Sequence, residues 1–160
     1  MSTFLRAIEF LGLSLWLGSE VFFSFVVAPG AFRILSTRDQ AGALVGYALG
    51  AMHIGGILCG LLLLLARLVR TKTFASLATP AALCVALMIA LTAVSQFTVS
   101  TQMAALRGQM GSIQATAADN PMVLEFARLH RISVSLEGGV LLAGIAAVYL
   151  MVRELAFRSS

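Results

Sequence analysis

The sequence predicts an all-α integral membrane protein: a single domain over residues 1–160, folded as an up-down-up-down bundle of four helices. Two observations predict it. Hydrophobic residues make up 59% of the 160 and charged residues 11%, a balance that leaves too little polar surface for a chain dissolved in water. Four apolar stretches, at 8–28, 41–66, 80–100 and 132–152, each approach the roughly 20 residues that a helix needs to cross the hydrocarbon core.

The first stretch carries Glu20, and its one small-residue exit, Val26-Val27-Ala28, runs into Pro29. That pattern argues against a cleaved signal peptide and for a helix retained in the mature protein. The second is opened by Thr37 with Gln40 three positions on, a capping-box spacing. The third follows Thr79-Pro80 and the fourth follows Asn120-Pro121, each a capping residue with proline at the first helical position. The third is expected to continue past the membrane through Gln102-Met103 and Gln109-Met110 until Gly108 and Gly111 weaken it, and residues 122–131 form an amphipathic approach to the fourth. Cys59 and Cys84 lie inside apolar stretches without CxxC or CxxCH spacing, so they read as small packing residues, against covalent haem or a zinc knuckle.

An even number of crossings puts both termini on one side, with Arg6, Arg67, Arg70, Lys72, Arg153 and Arg158. The other side holds Arg33, Arg38, Arg107, Arg128 and Arg131, diluted by Asp39, Asp119 and Glu125. The compact Arg67-to-Lys72 turn favours cytoplasmic termini in a bacterial inner membrane. The net charge of +4 thus belongs to membrane flanks, and no nucleic-acid partner is expected; the partners are the lipid bilayer and a possible homo-oligomer.

Ionisable residues inside spans are costly and face an interior or a wet cavity, which singles out Glu9, Glu20, His53, His130 and Glu137. At about 100° per residue, Gly42, Gly46 and Gly60 fall within roughly 20° of His53, on a small-residue face suited to close helix packing. On the fourth helix His130, Glu137 and Gly144 stand at heptad spacing. The matching stripes are Glu9, Leu13, Trp16, Glu20, Ser24 and Val27 on the first helix, and Thr92, Gln96, Ser100, Met103 and Met110 on the third. With about 1.5 Å of rise per residue, Glu20 and His130 lie roughly 12 Å from the outer ends, His53 roughly 18 Å and Glu137 roughly 22 Å. The second and fourth helices are diagonal in such a bundle, so His53 and His130 are expected to face each other with Glu20 between them.

Two imidazoles and two carboxylates from facing helices are a ligand set for a transition-metal ion, whether zinc, copper or iron: His53, His130, Glu20 and Glu137. His53 and His130 as axial ligands of haem b are the close variant. Two further readings remain: a hydrogen-bonded network with Gln96 and serine hydroxyls that only holds the helices, and a proton or solute pathway in an oligomer. Met103, Met110 and Met122 offer a soft copper-binding edge or simple packing, and Arg128 and Arg131 suit lipid headgroups or a pair with Glu125. No nucleophile triad, phosphate loop or dinucleotide fingerprint marks an enzyme.

Three segments, Phe22-Phe23-Ser24-Phe25-Val26-Val27-Ala28-Pro29, Met52-His53-Ile54 and Phe126-Ala127-Arg128-Leu129-His130-Arg131-Ile132-Ser133, resemble the domain-of-unknown-function 4149 family, whose eukaryotic relatives are the transmembrane-protein-205-like proteins. The resemblance implies a four-helix membrane protein whose first helix ends at the proline, with His53 and His130 at the family's histidine positions. A role in metal handling or redox support is the expectation that follows.

Overall fold

The computed structural model describes residues 2–159, and at the C-terminal end the side chain of Arg158 falls outside the described residues. Four helices are long and apolar enough to cross a membrane: α1 (Thr3–Ile34), α2 (Arg38–Thr71), α3 (Pro80–Met110) and α4 (Pro121–Ala156). A helix of 31 to 36 residues is longer than the roughly 30 Å of hydrocarbon it must cross, so its ends reach beyond the core. Large apolar side chains such as Leu15, Phe25, Leu58, Leu62 and Leu142 are exposed along the outside, where lipid is their natural solvent.

The expected starts are present. The Thr37 hydroxyl accepts from Gln40 N at 3.2 Å, Thr79 Oγ1 from Ala82 N, and Asn120 Oδ1 from Met122 N at 2.9 Å. Each cap satisfies an amide that the first turn leaves without an internal partner. At the other end of α3, Gly111 takes φ +69°, which an L side chain would resist.

Helix α1 does not stop at Pro29. It passes through a π turn at Phe23–Val27 and continues over Ala28–Ile34. Proline lacks an N–H and crowds the preceding turn, and a widened turn just before it accommodates both defects without ending the helix. The buried stripe Glu9, Leu13, Trp16, Glu20 then continues to Phe23, and Ser24, expected on it, is exposed. A second π segment, Ser95–Ser100, interrupts α3. There the Thr98 hydroxyl bonds Val94 O and Thr101 Oγ1 bonds Phe97 O, serving carbonyls beside the irregular turn.

Helix α1 packs along α2 and α3 along α4, while α2 lies against α3 and α1 against α4. That order leaves α2 and α4 on one diagonal. Leu13, Trp16, Leu63, Val85, Met88, Val140 and Ala147 fill the centre. The Trp16 indole lies flat against α2: a methyl group on Gly56 would fall 2.3 Å from its Nε1, and one on Gly60 2.6 Å from Cζ3. Gly42 and Gly46 receive the Arg107 guanidinium and Gly50 receives Gln96, so the glycine line of α2 is occupied within one bundle.

Arginines read from the sequence as membrane flanks prove to be buried partners at one end. Arg70 clamps Glu9 through Nε to Oε1 at 2.6 Å and Nη2 to Oε2 at 3.1 Å. Arg67 bonds Glu154, approaches Glu9 at 3.8 Å and donates Nε to Ser76 O at 3.1 Å. The start of α1 therefore shares an end with the finish of α2 and of α4. At the opposite end Asp39 accepts from the Ser112 hydroxyl and from Ile113 N at 3.0 Å, holding the loop after α3 to the start of α2.

Candidate functional site

Above the central apolar layer, α2 turns His53 inward until only 1% of it is exposed. Its Nδ1 lies 2.9 Å from Gln96 Oε1 on α3, and its Nε2 lies 2.8 Å from Glu137 Oε1 on α4. Ser95 Oγ donates to the same Glu137 oxygen at 2.9 Å. Ser95 and Gln96 are consecutive, and the π segment of α3 opens at this pair. One turn earlier, the Thr92 hydroxyl is buried with no hydrogen-bond partner.

Both ring nitrogens of His53 meet oxygen atoms as the side chains are placed. Three proton arrangements satisfy that geometry: an imidazolium beside a carboxylate, a neutral ring that donates Nδ1–H to Gln96 and accepts from a protonated Glu137, or a neutral ring with the Gln96 amide turned to offer its nitrogen. In each case His53 on α2 is held from α3 and α4.

Glu20 enters from α1 with 2% exposure, and neither of its oxygens has a hydrogen-bond partner. Its neighbour is the Glu137 carboxyl, whose Oε2 is also buried and unpartnered. Three oxygens of two adjacent carboxyls are thus buried without a donor from the protein. Unpaired acceptors of this kind are rare, because each has lost water and gained nothing.

The structure brings Glu20, His53 and Glu137 together and turns His130 away. His130 is exposed, and its neighbour Leu129 takes the inward position with Ser133 one turn on. The reason is phase. With about 100° per residue, Leu129, Ser133, Val140, Ala147 and Met151 share a buried centre from which Glu137 is displaced by roughly 60° and His130 by roughly 80°. A heptad step back from Glu137 therefore carried the expected stripe off the seam towards the start of α4. The two imidazoles do not face each other, and α4 presents Glu137 to His53 instead. Among the described residues no three His, Cys, Asp or Glu side chains are arranged to hold a metal ion. With a single inward imidazole, and with the glycine face filled by Trp16, Gln96 and Arg107, the residues do not fit a haem with two histidine ligands.

Glu9, expected in the same stripe as Glu20, belongs to the arginine network at the far end, eleven residues or roughly 16 Å along α1. Trp16 lies between them. Met103, Met110 and Met122 are half-buried on the helix extensions.

Two participants escaped the sequence reading. Ser95 is fully buried one position before the expected Gln96, and nothing in the sequence announces the π turn that admits both. Arg107 lies with Nη2 3.1 Å from where a Gly42 Cβ would stand and Nη1 3.2 Å from that of Gly46, and its guanidinium is 5.5 Å from the centre of the Phe126 ring. Its Nε is buried and unpartnered. Along α2 the succession Gly42, Gly46, Gly50, His53 therefore faces Arg107, then Gln96, then Glu137. The signal was legible in part, since glycines at four-residue spacing below an outer-side arginine leave space that a long side chain can fill.

A family profile described as "Domain of unknown function (DUF4149)" matches residues 11–112. The chain belongs to the DUF4149 family. The match covers most of α1 and all of α2 and α3, so Glu20, His53, Ser95, Gln96 and Arg107 of this DUF4149 protein fall inside it and Glu137 falls outside. No curated protein and no solved structure matches the chain.

Proposed function

We propose that this DUF4149 protein is a proton-handling membrane protein, in which Glu20 and Glu137 share a proton and His53 relays it. The observation that carries the reading is the pair of adjacent buried carboxyls whose three oxygens lack donors. Two carboxylates in contact inside hydrocarbon repel each other at low dielectric, and one proton between them removes the repulsion while supplying the missing hydrogen bond. His53 is bonded to Glu137 and can exchange that proton with it, while Gln96 fixes the His53 ring and Ser95 the Glu137 carboxyl in register.

Access is read from the same geometry. The column of Arg107 and Gln96 leads from the Asp39–Ser112 end to His53, whereas Leu13, Trp16, Leu63 and Met88 seal the other direction. With cytoplasmic termini in a bacterial inner membrane, as the Arg67-to-Lys72 turn favours, the proton is taken from the outer side.

One observation supports a second reading. The same unpartnered oxygens and one imidazole suit a transition-metal ion, provided that His53 gives up its bond to Glu137. One experiment separates the two. Infrared spectra of the detergent-purified protein, beside elemental analysis, should show a protonated-carboxyl band that is lost in Glu20→Gln. Absence of that band, with a metal bound stoichiometrically and lost in Glu20→Gln, would replace the proton by the ion. Absence of both would leave the cluster a structural tie.

A further inference from the structure

A second polar feature lies on the outside of the bundle. A groove of about 350 Å³ runs between α3 and α4, lined by Leu91, Arg128, Arg131, Ile132, Ser135 and Leu136. We infer that it binds one anionic phospholipid, with the phosphate against Arg128 and Arg131 and an acyl chain along Leu91, Ile132 and Leu136.

The placement of the residues carries this. The apolar stretch of α4 begins at Ile132, so Arg131 stands at the boundary between headgroups and hydrocarbon, with Arg128 one turn further out. The groove therefore changes from cationic to apolar at the depth where a phospholipid changes from phosphate to chain. Its floor continues along α3, where Leu91 reaches α4 at Gly139. The charge is available. Arg131 makes no ion pair among the described residues, and Arg128 is paired only at its exposed edge, with Glu125 at 3.3 Å. Two guanidiniums against one carboxylate leave the mouth positive, and a planar guanidinium matches a phosphate with two parallel hydrogen bonds. Ser135 donates its hydroxyl hydrogen to Arg131 O at 3.0 Å. The occupant already dissolved in the surrounding phase with an acidic head and an apolar tail is a membrane lipid, not a soluble anion.

The test uses the full chain in mixed micelles with equal phosphatidylglycerol and phosphatidylcholine, followed by native mass spectrometry of the lipid that stays bound. The native protein is expected to retain phosphatidylglycerol in preference. Arg128→Gln with Arg131→Gln should lower that retention roughly tenfold. Arg33→Gln with Arg38→Gln removes the same charge from the same end of the bundle and should leave it unchanged. Leu136→Trp, which fills the floor and keeps both arginines, should also lower it. Equal retention of the two lipids by the native protein, equal loss in both arginine pairs, or full retention by Leu136→Trp would each overturn the site.

Discussion

His53 Nε2 lies 2.8 Å from Glu137 Oε1, joining α2 to α4 across the diagonal of the bundle. Diagonal helices have little direct packing to hold them, so their relative depth rests on polar contacts, this one and Arg67 to Glu154 at the other end. In hydrocarbon such a contact has no water to replace it.

Removing the imidazole should therefore cost more than its size suggests. His53→Ala leaves Glu137 and Gln96 each short of a partner, and a loss of about 1–3 kcal/mol is expected. His130→Ala, at an exposed position, should stay within about 0.5 kcal/mol of the parent. Thermal unfolding in a single detergent compares them, and equal losses would contradict the inward and outward placements.

Glu20→Gln should not destabilise, although it removes a buried side chain's native chemistry. An amide of the same shape brings N–H donors to the unpartnered Glu137 oxygen, so the variant is expected to equal or exceed the parent by up to about 1 kcal/mol. Glu20→Ala keeps the burial and supplies no donor, and it should unfold earlier. A Gln variant as unstable as the Ala variant would show that the amide brings no donor to the Glu137 oxygen.

The contact of Trp16 with α2 sets a third expectation. Gly56→Ala places a methyl group 2.3 Å from the indole nitrogen, an overpacking that costs about 1–3 kcal/mol. Gly55→Ala, with open space around it, should be neutral or slightly stabilising. Combining Gly56→Ala with Trp16→Leu should cost less than the sum of the two changes, and strict additivity in a double-mutant cycle would remove the clash as the cause.

At the opposite end, Arg67→Met strips a buried guanidinium from Glu154 and Ser76 and from the neighbourhood of Glu9. A loss of about 3–5 kcal/mol is expected, because the acid partners stay in place without it. Glu125→Gln breaks only the exposed pair with Arg128 and should change stability by less than about 1 kcal/mol. Comparable effects from the two substitutions would mean that the Arg67 network is wet.

Much of the architecture could be read along the chain. Thr37, Thr79 and Asn120 open helices because each carries a short side-chain acceptor next to free amides, a relation settled within three residues. The inward positions Glu20 and His53 followed from phase near the middle of their helices, where small angular errors matter little. His130 failed because it stands in the opening turns of a long helix, at the margin of the stripe, where a drift of tens of degrees moves a side chain from core to surface. The expected end of α1 at Pro29 failed because a proline reads as a stop unless a π turn precedes it, and that turn has no residue signature of its own. Arg67 and Arg70 looked like flanks because arginines at membrane boundaries usually are. Only packing revealed that Glu9 and Glu154 meet them.

The sequence by itself determined the solvent, the number of spans and their starting points, since apolar length and capping are properties of neighbouring residues. Only the tertiary structure decided which polar side chains meet, setting His53 on Glu137 and Glu20 beside it, Arg107 in the glycine notch and His130 outside. Those meetings depend on helix rotation, on the turns inserted at Phe23 and Ser95, and on which neighbour fills a glycine's space. Each is fixed by contacts between residues far apart in the chain, and no local pattern carries that information.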